Sequence, residues 1–390
     1  MPRAGAYLKK EELGKPEPSY PLDVYFCKSC ASVQLLDIIP KETLFDDYRY
    51  LSSVASNTVL EHFQSYAKEI KNDLLSNSGF VVEIACNDGI LLKPLSDLDV
   101  NCLGIDPATN IVNVAKEKGL NVINGFFGKI IAEDIIKKFG FADVVIANAV
   151  FAHVDDMDDM TSSISKILCE SGLFIFEVHY LADIIEKMQY DSIYHEHFSY
   201  HSITALSTFL KKYGLEIYNI KKFSVRGGMI RVYAKKISNK NLQICTAVSD
   251  FLRSEKKLGL DRLETFEIFG KSVMNHKEEM ISLLKKLKSE GKKIVAYGMS
   301  GRGNTLLNFW QVGVKIIDYG IDASPERYDR YVPGMHIPII PPDNALDGVD
   351  YALLFAWVFK DDIMKKENEF IKNGGKFIIP MPKPHLEPIN

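Results

Sequence analysis

Apolar and polar positions follow two rhythms along this chain. Over residues 57–76, Val59, Phe63, Tyr66, Ile70 and Leu74 recur every three or four residues, which predicts an amphipathic helix. Beyond it, short apolar runs at 80–85, 101–105, 121–123, 142–147 and 173–177 alternate with helical stretches such as 111–118. Strands separated by helices of this size imply a parallel sheet covered on both faces. Residues 215–223 and 228–234 are joined by a turn too short for a crossover helix, so they are expected to close the sheet as an antiparallel pair. A charged helical stretch over 243–290 leads into a second α/β series. Its strands are expected at 294–297, 314–319, 351–355 and 376–379, and its helices at 298–307 and 361–372. Residues 1–45 are irregular and punctuated by Pro16, Pro18 and Pro21. The pattern predicts an α/β protein in three parts: a small irregular module over 1–55, a doubly wound domain over 56–242, and a helical connector with a C-terminal Rossmann-like α/β domain over 243–390.

Composition narrows the class of partner. A formal net charge of −4 over 390 residues gives no global attraction to nucleic acid or to an anionic membrane. No apolar run approaches the ~18 residues of a spanning helix, and no signal-type stretch opens the chain, so a cytoplasmic protein without a membrane partner is expected. Six cysteines do not make a disulfide framework. Cys27 and Cys30 form a C-x-x-C pair after a short apolar strand. They read either as two reduced structural thiols or as half of a zinc site completed from elsewhere, since zinc takes four ligands.

The first chemical signal is the strand–loop–helix Glu83-Ile84-Ala85-Cys86-Asn87-Asp88-Gly89. In a doubly wound sheet the ligand crevice lies at the carboxyl ends of the strands. A dinucleotide loop would carry three glycines here, but only Gly89 remains and acids stand in the loop. Acids repel a diphosphate and suit a cationic ligand with an amine, such as S-adenosylmethionine. The next strand ends in Asp106-Pro107, where an acid can accept the ribose hydroxyls. The fourth ends in Asn148, with His153 following in the loop. Glu83, Ala85, Asn87, Gly89, Asp106, Pro107 and Asn148 are therefore the candidate donor-binding residues.

The second signal is Tyr194-His195-Glu196-His197-Phe198, with His201 close behind. H-E-H spacing fits no helical H-E-x-x-H metal site. Aromatic neighbours point to partial burial, and histidine with glutamate suits general acid–base work. With Tyr48-Arg49-Tyr50-Leu51-Ser52-Ser53, the segment 148–155, Arg226-Gly227-Gly228-Met229-Ile230-Arg231-Val232-Tyr233, the segment 297–307 and Pro333-Gly334-Met335-His336-Ile337-Pro338, the chain resembles the nucleotide-sugar C-methyltransferases of deoxysugar biosynthesis. The resemblance covers nearly the whole chain. It implies a zinc-binding N-terminal module, a class I methyltransferase domain, and a C-terminal domain that helps hold a nucleotide-linked ketosugar. One C-x-x-C pair stands where the family carries two. The resemblance further implies His197 as the base that removes a proton next to a ketone, with Glu196 orienting it or touching the sugar. Tyr194 and His153 would stabilise the enolate oxygen or relay the proton, and Tyr48 would be an active-site tyrosine. His195 and His201 read as structural.

In the C-terminal half, residues 298–305 follow a strand and open a helix but lack the Lys-Ser/Thr of an ATPase loop. Backbone N–H groups there, with Arg302, suit a diphosphate. Ser300, Arg302, Gly303, Asn304, Asp322 and Arg327 are the candidate acceptor-binding residues, with Arg330 a further cation. Methylation of an oxygen or nitrogen acceptor, and an idle S-adenosylmethionine-binding scaffold, are the competing functional readings.

Overall fold

The computed structural model describes residues 1–45, 52, 57–75 and 79–388. The chain forms two compact units, both discontinuous in sequence. One comprises 25–182 and 198–263, the other 1–24, 183–197 and 264–390. The sequence-based boundaries at 55/56 and 242/243 do not coincide with these. Residues 1–24 and 183–197 gather with the C-terminal part, which no local periodicity signals.

The larger unit runs through β1 (Val24–Phe26), β2 (Val33–Leu35), α1 (Lys41–Phe45), α2 (Asn57–Glu69), β3 (Phe80–Ile84), α3 (Leu92–Asp97), β4 (Asn101–Asp106), α4 (Thr109–Glu117), β5 (Val122–Asn124), α5 (Lys129–Phe139), β6 (Ala142–Asn148), α6 (Met157–Ile167) and β7 (Leu168–His179). After α7 (Leu181–Glu186), which crosses between units, it resumes with β8 (Ser199–Tyr200), α8 (Ile203–Lys211), β9 (Leu215–Phe223), β10 (Met229–Lys236) and α9 (Thr246–Leu258). The main sheet has the order β5-β4-β3-β6-β7-β10-β9. Its first five strands are parallel, and β10 is antiparallel to both β7 and β9. This is the doubly wound sheet and closing pair that the apolar runs predict. Strands buried on both faces read as continuous apolar segments, and Val81, Val82, Val144, Val145 and Ile146 are fully buried.

A charged cluster crosses the β7–β10 seam. Arg231 faces Glu177 in the ladder, with Nη2 2.6 Å from its Oε1. His62 of α2 lies 2.8 Å from the same carboxylate, and Glu69 of α2 accepts Arg231 Nη1 at 2.6 Å. The guanidinium stacks 3.2 Å from the Tyr66 ring centroid. Burial opposes ionisation of Glu177, but His62 and Arg231 together hold its carboxyl below the ordinary range. The cluster fixes α2 on the sheet. Removing one member of such a group costs about 3–5 kcal/mol, because a buried charge is left uncompensated.

The smaller unit adds α10 (Leu263–Ser289), β11 (Ile294–Tyr297), α11 (Gly301–Trp310), β12 (Gly320–Ile321), β13 (Ile339–Ile340), β14 (Tyr351–Leu354), α12 (Lys360–Lys366), α13 (Asn368–Lys372), β15 (Lys376–Ile379) and β16 (His385–Glu387). The sheet order is β13-β12-β11-β14-β15-β16, parallel except for β16. The strand expected at 314–319 starts late: residues 314–316 are a turn, with the Gly313 carbonyl accepting from Ile316 and Ile317, and backbone bonds to β11 begin with Asp318 N–H on the Ile294 carbonyl, just ahead of β12. Ile317 is buried all the same, so the apolar run marks core as well as strand. The N-terminal segment is tied into this unit. Tyr7 donates to the Met299 carbonyl at 2.6 Å, Asn304 donates to Ala4, and Glu17 accepts from Gly334 and His336.

Candidate active site

In the larger unit the loop after β3 is built from left-handed residues: Ala85, Asn87 and Gly89 have φ of 50°, 51° and 91°. At Gly89 a Cβ would also stand 2.2 Å from Leu120 Cδ1, so close packing and backbone shape both require glycine. The Asn87 N–H donates to Asp106 Oδ2 at 2.9 Å, and Ala108 N–H donates to Oδ1 at 3.0 Å. Asp106 is thereby fixed at the carboxyl end of β4, and each oxygen keeps a second lone pair. Asn87 Oδ1 accepts the Ser52 N–H at 2.9 Å. Asp88 is fully buried and paired with Lys118 at 2.8 Å, so its charge is balanced within the fold.

Glu83 is 2% exposed, and burial, with the Asp106 charge adding, pushes its carboxyl up to about 8. Its Oε2 makes no hydrogen bond of good geometry, nor do Nδ2 and Oδ1 of Asn148 at the end of the adjacent β6, although the Asn148 amide lies near enough to favour the charged carboxylate. Buried polar atoms without partners are uncommon and call for an explanation. Together they offer two acceptors and one donor, the set that an amino acid's ammonium and carboxylate would satisfy. Pro107 follows Asp106 and accepts from Asn124 at 2.9 Å. His153 is half-buried in the turn after β6, its N–H bonded to the Val150 carbonyl. Tyr48 lies outside the described residues. Cys27 and Cys30 follow β1, and backbone N–H groups of Cys30 and Ser29 hold the Cys27 thiol below its ordinary range. The pair would supply two of the four ligands that a zinc ion takes. No cluster of three or more His, Cys, Asp or Glu is arranged for a metal among the described residues.

In the smaller unit the histidines separate by environment. His197 is 5% exposed, and its Nδ1 lies 2.6 Å from the Ser192 carbonyl. A carbonyl only accepts, so Nδ1 carries the hydrogen and the basic lone pair sits at Nε2. The Tyr194 ring stands 4.2 Å from that imidazole, centroid to centroid. Glu196 is half-buried; burial pushes its carboxyl up to about 6, against the pull of Arg3. His195 is buried and donates from Nε2 to the Pro21 carbonyl at 3.1 Å, while burial lowers its pKa. The bond ties His195 to the N-terminal segment. In the larger unit His201 is buried beside Ser199, and burial lowers it to about 4.

The loop before α11 places Ser300 at the helix N-cap with no side-chain cap bond, and Arg302 in the first turn. Arg302 Nη1 lies 3.6 Å from buried Asp191. Two expected acceptor residues are taken up by packing. Asn304 is fully buried against Ala4, and a Cβ on Gly303 would sit 2.8 Å from the Phe355 ring. Asp322 and Arg327 pair with each other at 2.8 Å.

Sequence comparison identifies the lineage. A methyltransferase domain family matches residues 59–220, a C-methyltransferase C-terminal domain family matches 224–382, and a zinc-binding domain family matches 1–45. C-methyltransferase NovU of Streptomyces niveus is 31% identical over 387 residues, covering 99% of this chain and 92% of that protein. The chain belongs to this C-methyltransferase family. The ubiquinone biosynthesis O-methyltransferase of Colwellia psychrerythraea is 32% identical over only 107 residues, 26% of this chain and 44% of that protein. Among solved structures, an S-adenosylmethionine-dependent methyltransferase from Clostridium acetobutylicum covers 47% of this C-methyltransferase and 93% of its own chain, at 17% identity and a TM-score of 0.36. Such an overlap is too loose to argue from, and the fold assignment rests on strand order. Six parallel strands with an antiparallel seventh, β10, inserted between β7 and β9 make the larger unit a class I methyltransferase sheet. The C-methyltransferase uses S-adenosylmethionine. No helix among the described residues is long and apolar enough to cross a membrane.

Proposed function

We propose that this C-methyltransferase transfers the methyl group to the carbon next to the ketone of a nucleotide-linked 4-ketosugar. S-adenosylmethionine supplies the electrophilic methyl. Glu83 and Asn148 hold its amino-acid end, satisfying their orphaned atoms, and Asp106 accepts the ribose hydroxyls. Ala85, Asn87 and Gly89 shape the loop around it, with Pro107 at its side. A carbon acid needs a base near neutral pKa within reach of its proton. His197 serves, taking the proton at Nε2 while Nδ1–H stays on Ser192; this fixed tautomer is the observation that carries the reading. Glu196 orients the base or touches the sugar, and Tyr194 and His153 donate toward the enolate oxygen. Tyr48 is retained as a further active-site tyrosine on the resemblance alone. Ser300, Arg302 and the first-turn N–H groups of α11 suit the acceptor's diphosphate, with Asp322 and Arg327 as further contacts.

The test is solvent isotope exchange. With a nucleotide-linked 4-ketosugar and no methyl donor, the wild-type chain should wash deuterium into the position next to the ketone, and His197→Asn should not. Absence of exchange with every 4-ketosugar nucleotide tried would refute the reading and favour an oxygen or nitrogen acceptor.

A further inference from the structure

Three consecutive residues just before the acid–base cluster are each fixed by a different part of the smaller unit. They form a single turn of 3₁₀ helix, Tyr190–Ser192. The Tyr190 hydroxyl accepts from Trp310 Nε1 at 2.9 Å and donates to His276 Nδ1 at 3.0 Å. His276 Nε2–H is committed to the Pro380 carbonyl at 2.7 Å, which settles the direction of the whole chain of bonds. Asp191 is fully buried. Its Oδ2 accepts Trp357 Nε1–H at 2.9 Å and lies 3.6 Å from Arg302 Nη1, while its Oδ1 has no partner. Ser192 Oγ donates to the Gln189 carbonyl at 2.7 Å, and the Ser192 carbonyl receives Nδ1–H of His197.

A buried carboxylate with one unpartnered oxygen is an expensive way to hold a turn. Trp357 alone could be satisfied by a neutral acceptor. What the charge adds is an attraction to Arg302, on the first turn of α11, where a cation is disfavoured by the helix dipole. The separation of 3.6 Å exceeds direct hydrogen-bond length, so the pair is held by charge rather than by a committed bond. Asp191 is therefore the point at which the α11 loop and Trp357 act on the turn whose last carbonyl sets the imidazole.

We infer that Asp191 is a positioning residue for His197, linking Arg302 and Trp357 to the orientation of the base through the Tyr190–Ser192 turn. The inference deepens the role proposed for His197. The path runs from Arg302 and Trp357 to the Asp191 carboxylate, along one peptide unit to the Ser192 carbonyl, and across a hydrogen bond to Nδ1–H. An anion that engages Arg302 would then be felt at the base without touching it.

The test needs no acceptor. The full chain is labelled with ¹⁵N at histidine, and the Nδ1–H resonance and tautomer of His197 are read by NMR in wild type, Asp191→Asn, Arg302→Gln and Trp357→Phe. Tryptophan fluorescence followed through urea unfolding checks the fold of each variant, since Trp310 and Trp357 both belong to the smaller unit. Wild type should show a downfield Nδ1–H signal and a lone-pair Nε2. Asp191→Asn should displace that signal or convert His197 to a tautomer mixture. Arg302→Gln should displace it in the same sense, and the double variant should move it no further than Asp191→Asn alone. An unchanged His197 spectrum in folded Asp191→Asn overturns the inference. If that variant does not fold, an unchanged spectrum in both Arg302→Gln and Trp357→Phe overturns it equally. Deuterium wash-in reports separately on whether His197 is a base at all, so the two ideas fail in different experiments.

Discussion

Replacing Glu83 by glutamine should strengthen the fold and weaken the donor complex at once. In the folded protein the Glu83 carboxyl is pushed up to about 8, against an ordinary value of 4.5 once the chain unfolds. Folding therefore retains a proton that the unfolded state releases anywhere between those limits. A raised folded value gives stability that is complete below the unfolded pKa and is lost as pH climbs toward the folded one. The side chain is 2% exposed, so solvent screening does not dilute the effect. At about 1.4 kcal/mol per pH unit, wild type should lose on the order of 3 kcal/mol from this group between pH 5 and pH 7.5. Glutamine ionises in neither state. The stability of Glu83→Gln relative to wild type should thus rise by that amount over the same range, read from urea unfolding at each pH. Donor binding should move the other way. Above pH 8, where the Glu83 carboxyl is ionised in the fold, losing a charge-assisted contact to an ammonium costs about 1.5–3 kcal/mol, roughly a 10- to 100-fold weaker complex. Calorimetry with S-adenosylhomocysteine measures it. A stability difference flat with pH would show that Glu83 is ionised in the fold. Unchanged affinity would show that the donor's amine lies elsewhere.

Other substitutions probe separate parts of the molecule. His197→Asn should reduce methyl transfer by about 10²- to 10⁴-fold while leaving product binding intact, as steady-state rates and calorimetry would show. Arg231→Met should destabilise the protein by about 3–5 kcal/mol in denaturant unfolding, because Glu177 stays buried with only His62 beside it. Gly303→Ala should cost about 1–3 kcal/mol through crowding of Phe355, with donor affinity unaltered.

Much of the larger unit is visible in the chain because parallel strands covered on both faces must be apolar throughout, and helices between them must carry a stripe. The loop acids, Asp106 and Asn148 could be placed for the same reason: they sit where such strands end. What the chain conceals is non-local. Lys118 neutralises Asp88 from 30 residues away, and nothing near either residue announces it. Glu177 and Arg231 look like solvent-facing charges in their strands until the ladder brings them together in a buried pair. The run at 314–319 is apolar because Ile317 enters the core from a turn, a case that periodicity cannot separate from a strand. The tautomer of His197 depends on a backbone carbonyl, which has no residue-type signature.

Transfer of the methyl group to a carbon of a ketosugar can be read in the product. Incubation of the protein with methyl-¹³C S-adenosylmethionine and a series of nucleotide-linked 4-ketosugars, followed by carbon NMR of the product, tests it directly. Carbon methylation gives a labelled methyl resonance at high field, coupled to a ring carbon adjacent to the ketone. A labelled methyl at the shift of a methoxy or N-methyl group, with no coupling to carbon, would contradict it.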